Sequence, residues 1–132
     1  MEETEISIRT NTQYYISMAN TQYSLIIGRW QPLHKGHKAL IKTALDRGKH
    51  VLIGIRDTQI SADNPHTVKE RKKMIQKAFP LDRDRIKMLV IPDIDEVLYG
   101  RSVGYKIEQV KLTDTLHNIS ATKIRKGEIP ND

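Results

Sequence analysis

Three short apolar runs, separated by helix-length amphipathic stretches, constrain this chain more than any other feature. They are Leu25-Ile26-Ile27, Val51-Leu-Ile-Gly-Ile55 and Met88-Leu-Val-Ile91. A strand with one wet face alternates polar and apolar residues. A run without alternation is buried on both faces, as strands of a parallel sheet are. The first strand is expected from Tyr23 to Ile27, ending at Gly28, the second at 51–55, and the third from Ile86 to Ile91, ended by Pro92. Between the first two, the spacing predicts a helix from His37 to Arg47. Ala39, Leu40, Ile41, Ala44 and Leu45 form its inner face and Gly48 its stop. Between the second and third, Thr67-x-x-Glu70 is a capping box. It opens a helix that runs to about Phe79 with Val68, Met74, Ile75 and Ala78 inside, and Pro80 stops it. Asp93 to Gly104 reads as a loop or short helix, Tyr105 to Leu112 as a fourth strand, and Ser120 as the cap of a last short helix reaching Lys126. Such alternation implies an α/β fold, a single Rossmann-like doubly wound parallel sheet with right-handed crossovers. Ligands of such sheets bind beyond the carboxyl ends of the strands.

The 132 residues suit one domain. Residues 1–22 read as a polar N-terminal extension, in which Tyr14-Tyr15-Ile16 offers an edge strand and disorder is the alternative. Residues 23–132 form the domain proper. No cysteine is present, so disulfides and thiolate metal sites are excluded. No apolar run approaches the roughly 20 residues that span a bilayer, and Met1-Glu-Glu-Thr-Glu lacks the pattern of a signal peptide. A soluble cytoplasmic protein with no membrane partner is expected. The net charge of +6 calls for an anionic partner, either nucleic acid or a small polyphosphate. With five Tyr, one Trp and one Phe, base-stacking platforms are not obvious. Composition leaves that choice open, and a homo-oligomer with it.

The densest chemistry lies in Gly28-Arg-Trp-Gln-Pro-Leu-His-Lys-Gly-His37, which joins a buried strand to a helix. Backbone N–H groups and the helix dipole favour phosphate at such a junction. Gly28 permits a tight turn and Gly36 a close approach of backbone to ligand. His34 and His37 bracket Gly36, and Arg29, Lys35 and Lys38 add positive charge. A zinc site is disfavoured because no nearby third carboxylate or thiolate completes a ligand set. Farther on, Ser120 and Thr122 place hydroxyls at a helix start with Arg125 one turn on, a cluster suited to the outer phosphates of a triphosphate. An ordinary serine cap with a solvated arginine is the plainer alternative. Arg56 and Asp57 follow the second strand at the ligand end of the sheet, as substrate contacts or as a loop ion pair. His50 and His117 read as surface histidines.

Residues 24–41 resemble the HxGH motif of the nucleotidyltransferase superfamily. The segment from Gly28 to His37 is similar to the form GRFQPFHxGH, with Trp30 and Leu33 in place of two phenylalanines. Ile119-Ser-Ala-Thr-Lys-Ile-Arg125 resembles the second motif, ISSTxIR, with Ala121 the one departure. The two motifs stand in family order, and the resemblance covers roughly residues 23–127. It implies that His37, assisted by His34 and Arg125, is catalytic. It implies that Gly28, Arg29, Trp30, Gln31, Pro32, Gly36, Ile119, Ser120 and Thr122 bind the nucleotide. Arg71 resembles an arginine that relatives place near acceptor or nucleotide phosphates, and joins Arg56 and Asp57 as an acceptor-binding candidate.

The resemblance also implies nucleotidyl transfer to a small phosphate-bearing acceptor, with release of pyrophosphate and Mg²⁺ carried on the triphosphate. ATP with an acceptor like nicotinamide mononucleotide is preferred. CTP with glycerol-3-phosphate is the alternative, although Thr115-Leu-His-Asn118 replaces the arginine-threonine-x-glycine that usually precedes the second motif in cytidylyltransferases. The segment Tyr99-Gly100-Arg101 lacks the acidic residues many relatives use there, which leaves the acceptor open. A non-catalytic nucleotide sensor and a nucleic-acid binder using helix 67–79 are the readings from other classes.

Overall fold

The structure, a computed structural model, describes residues 21–101 and 104–131. The edge-strand candidate at residues 14–16 lies outside the described residues, as does most of the expected extension. Three parallel strands form the sheet in the order β1-β2-β3: β1 is Tyr23–Gly28, β2 His50–Asp57 and β3 Ile86–Pro92. β1 and β2 run in register from Tyr23 opposite His50 to Gly28 opposite Ile55, and β3 pairs with β2 from Ile86 opposite Val51. Helix α1 is Lys35–Asp46 and helix α2 is Val68–Ala78. A 3₁₀ turn at Arg83–Arg85 leads into β3, and two short helices, α3 Asp114–His117 and α4 Ala121–Arg125, close the chain.

Alternation along each strand decides where the core lies. Ile26, Val51, Ile53 and Ile55 share one face of the sheet, and Ile41, Ala44 and Leu45 of α1 and Ile75 of α2 are buried against them. Ile41, Val51, Ile53, Ile55 and Ile75 are completely buried. Each contributes about 1.5–3 kcal/mol through removal of its side chain from water. Both helices therefore cover the same face. The burial on both faces expected of the apolar runs is not found: Leu25 and Leu89, on the face that neither helix covers, stay 60% and 53% exposed.

The α/β class and the parallel sheet are as expected. Of the doubly wound arrangement, the described residues show one wind, with no reversal of strand order. The expected fourth strand, Tyr105 to Leu112, is not formed; that segment is irregular. Its alternating apolar residues carry strand propensity, but a strand exists only through a ladder. Here Tyr105 and Ile107 face solvent, and Glu108 instead pairs with Arg47 at the end of α1, at 2.9 Å. Asp93 to Gly104 contains no helix among its described residues. Helix α1 begins at Lys35 rather than at His37, because His34 acts as its cap. Gly48, just past the helix, takes φ 77°, the left-handed stop that its place in the pattern requires. The Thr67–Glu70 capping box forms as expected: each side chain accepts from the other residue's backbone N–H.

Candidate active site

The loop from β1 into α1 carries most of the motif, and its geometry follows from a few local choices. His34 has an extended backbone, and its Nδ1 accepts from the N–H groups of Gly36 and His37 at 3.1 and 3.4 Å. His37 returns the arrangement: its Nδ1 accepts from the His34 N–H at 3.3 Å. This is a capping box built from two imidazoles. A ring nitrogen that accepts from a backbone N–H carries no proton, so both rings hold theirs on Nε2. The rings stack with centroids 3.6 Å apart and 17° between planes. The pair thus offers two Nε2–H donors side by side. Burial lowers the pKa of His34, and burial followed by the neighbouring His34 pulls that of His37 from 6.5 down to about 3. Both rings are neutral near pH 7.

Gly36 is required by crowding. A Cβ there would stand 3.0 Å from the His34 ring and 3.2 Å from the Leu116 carbonyl oxygen of α3. The expectation that backbone N–H groups at the start of α1 bind phosphate meets a competing partner, since the Gly36 and His37 N–H groups already donate to His34.

The remaining motif residues fasten the loop to its surroundings. Gln31 is buried, and its amide pairs with the backbone of His66 in both directions, at 3.0 and 2.8 Å. The Gln31–Pro32 peptide is cis. Trp30, expected among the nucleotide-binding residues, is instead 1% exposed and belongs to the core, where neighbouring side chains and β2 cover it rather than leaving it open to a ligand. Arg29 reaches Asn64 Oδ1 at 3.4 Å. From the second motif, Ser120 accepts from the Lys123 N–H and caps α4. Arg125 donates through Nη1 to the Gln31 carbonyl at 2.6 Å and through Nη2 to Thr122 Oγ1 at 3.3 Å. The two motifs, remote in sequence, meet at this contact.

Arg71, expected on the acceptor side, is instead fully buried with its guanidinium turned onto backbone carbonyls. Its Nη1 donates to the carbonyls of Arg29 and Arg56, at 2.9 and 2.8 Å, and its Nε to Thr67. Burial lowers its pKa while Asp57 acts in the opposite sense. Arg56 is held by Asp93 at 2.8 Å and by the Ile94 carbonyl, so the loop ion pair is formed, with a partner beyond β3. Asp57 is exposed at the end of β2. His117 is exposed, whereas His50 is half-buried with its ring edge on Tyr23.

A cavity of about 390 Å³ adjoins the motifs, with Lys35, Ile119 and Lys123 in its wall beside Thr115, Asn118 and Asn131. Neither His34 nor His37 lines it. The sequence does not single out Thr115, Asn118 and Asn131 as site residues. They lie outside the two motifs, and tertiary contacts bring them here, Asn131 through its bond to the Leu33 carbonyl at 3.2 Å.

A parallel α/β sheet with paired neutral imidazoles at its first strand–helix junction, cross-tied to a basic second motif, defines a phosphate-handling domain of the nucleotidyltransferase superfamily. Residues 25–90 match the cytidylyltransferase-like family model. The chain belongs to the cytidylyltransferase-like family. A nicotinamide-nucleotide adenylyltransferase of Methanococcus aeolicus is 34% identical over 136 aligned positions, covering 83% of this chain and 78% of that protein. The enzyme of the same name from Methanococcus vannielii is 43% identical over 76 positions, covering 54% and 43%. That second match spans less than half of the relative's length. Among solved structures, a bifunctional NMN adenylyltransferase/ADP ribose pyrophosphatase from Francisella tularensis, complexed with AMP and a manganese ion, matches with a TM-score of 0.51 and 33% identity. The match covers 55% of this chain and 23% of that one.

Proposed function

We propose that this protein transfers the adenylyl group of ATP to the phosphate of nicotinamide mononucleotide, releasing pyrophosphate. The observation that carries the reading is the stacked His34–His37 pair, two neutral Nε2–H donors at the start of α1. The names of the relatives support the choice of base and acceptor. An oxygen of the acceptor phosphate attacks the α-phosphorus. A new P–O bond forms as the bond to the bridging oxygen breaks, and pyrophosphate departs with its electron pair. The attacking phosphate is already ionised at neutral pH, so no general base is required. Such a reaction depends on positioning and on stabilising charge at the α-phosphate. His37 supplies a preorganised donor there and His34 a second one. Arg29, Ser120, Thr122 and Arg125 face the outer phosphates, and Arg56 and Asp57 the acceptor side.

Among the described residues, no three His, Asp or Glu side chains gather to hold a metal ion. Mg²⁺ would be carried on the triphosphate and would neutralise charge on the departing pyrophosphate. Among the described residues, no helix is long and apolar enough to cross a membrane, and we place the enzyme in the cytoplasm. The test is pyrophosphate release from four nucleoside triphosphates against nicotinamide mononucleotide and glycerol-3-phosphate. ATP with nicotinamide mononucleotide should turn over fastest. CTP with glycerol-3-phosphate in first place would reassign base and acceptor, and no release from any pairing would end the transferase reading.

A further inference from the structure

We propose that Trp30 is a positioning residue, holding the His37 ring in the orientation that nucleotidyl transfer uses. The inference rests on the function proposed above. Trp30 has φ 57°, the left-handed region that bulky L residues rarely enter. Such a conformation persists only where the surroundings over-determine it, and it concentrates at functional sites. Two contacts do so here. The indole N–H donates to the Gly54 carbonyl in the middle of β2, at 3.2 Å and fully buried. The ring also folds back over Gly28, where an added Cβ would crowd it at 3.1 Å from Cε2.

The strained turn delivers the indole to one side of His37, with ring centroids 4.6 Å apart and planes at 61°. One face of His37 stacks on His34. The His34 N–H bond to Nδ1 fixes one point of the imidazole, and a single hydrogen bond leaves the ring free to tilt about it. Trp30 and His34 remove that freedom. A tilt moves Nε2–H away from the α-phosphate, and displacements of about 1 Å in such a donor cost on the order of a hundredfold in rate.

The experiment compares Trp30→Phe, which keeps a ring and loses the N–H, with Trp30→Leu, which loses the ring. Trp30→Met replaces the leucine variant should that one fail to fold. Pyrophosphate release should show kcat within about threefold of the parent for Trp30→Phe and a drop of about tenfold or more for the ringless variant, with KM for ATP within about twofold in both. In parallel, the ¹⁵N–¹H imidazole spectrum of His37, identified by its loss in His37→Gln, should keep its Nε2–H form in Trp30→Phe and move towards averaged tautomers in the ringless variant. A His37 spectrum unchanged in the folded ringless variant would overturn the proposal, as would an unchanged kcat or a loss that falls on KM alone. The spectrum needs no substrate. If the parent protein releases no pyrophosphate at all, the proposed reaction fails while the spectrum still decides whether Trp30 orients His37.

Discussion

At the scale of single residues, His37 is the side chain whose loss should be felt most in turnover. Its Nδ1 is committed to the His34 N–H, so its Nε2–H is the one polar group left for a substrate. If that donor acts on charge that develops only in the transition state, His37→Ala lowers kcat and kcat/KM together. The expected loss is on the order of 10²–10³, the size seen when one preorganised donor is removed. His50→Ala, with its ring against Tyr23 at the opposite end of the sheet, serves as the control and should leave turnover unchanged. The same burial has a consequence for stability. His37 takes up a proton at about pH 3 when folded and near 6.5 when unfolded. As pH falls from 6.5 towards 3 the unfolded chain binds the proton first, so this contribution is complete above about 6.5 and declines through that window. The melting temperature should therefore fall less steeply between pH 7 and 4 in His37→Gln than in the parent, and equal slopes would contradict the assignment. Arg125→Ala should weaken use of the triphosphate by about tenfold or more, the weight of one charge-assisted contact at about 1.5–3 kcal/mol. It also removes the bond to the Gln31 carbonyl, and unchanged KM with unchanged kcat would take Arg125 out of the site.

At the scale of elements, Arg71 joins three pieces of backbone at the ligand end of the sheet. Its guanidinium binds the carbonyls of Arg29 after β1, Arg56 within β2 and Thr67 before α2. The Thr67 carbonyl also accepts from the Arg71 backbone N–H, but those of Arg29 and Arg56 would lose a charged donor, at about 1–3 kcal/mol for each one left unsatisfied. Arg71→Met, close in volume and without donors, should lower unfolding stability by about 2–4 kcal/mol in denaturant titration. A change below about 0.5 kcal/mol would show that water or a backbone shift replaces the guanidinium. The capping box of α2 is a smaller matter. Thr67→Ala should cost about 1 kcal/mol, because the Glu70 N–H loses its acceptor and the reciprocal bond loosens.

At the scale of the whole molecule, the sheet begins at Tyr23, and the two motifs lie at the junction of β1 with α1 and at the start of α4. We expect a chain starting at Met18 to keep its turnover in the pyrophosphate assay; loss of activity in a folded protein would assign the preceding residues to the site. Much of this architecture is legible in the residues themselves. Continuous apolar runs announce β1, β2 and β3, and Thr67 with Glu70 and Gly48 mark helix ends, because those signals act between neighbours along the chain. The two motifs are legible for the same reason, each being a contiguous segment. The strand expected at Tyr105–Leu112 shows the limit, since alternation supplies propensity and not a partner edge. Arg71 reads in sequence as an acceptor-binding candidate on a basic helix, and only packing reveals that it is buried on three carbonyls. Trp30 is likewise expected to bind the nucleotide, until the fold turns it left-handed onto Gly54 and against His37. Sequence determined what local hydrogen bonding and periodic burial determine: the elements, their ends and the residues available for chemistry. The protonation state of the paired imidazoles, the meeting of the two motifs and the orientation of His37 were decided by tertiary structure. Each depends on desolvation and on contacts between segments distant in the chain, which no local pattern encodes.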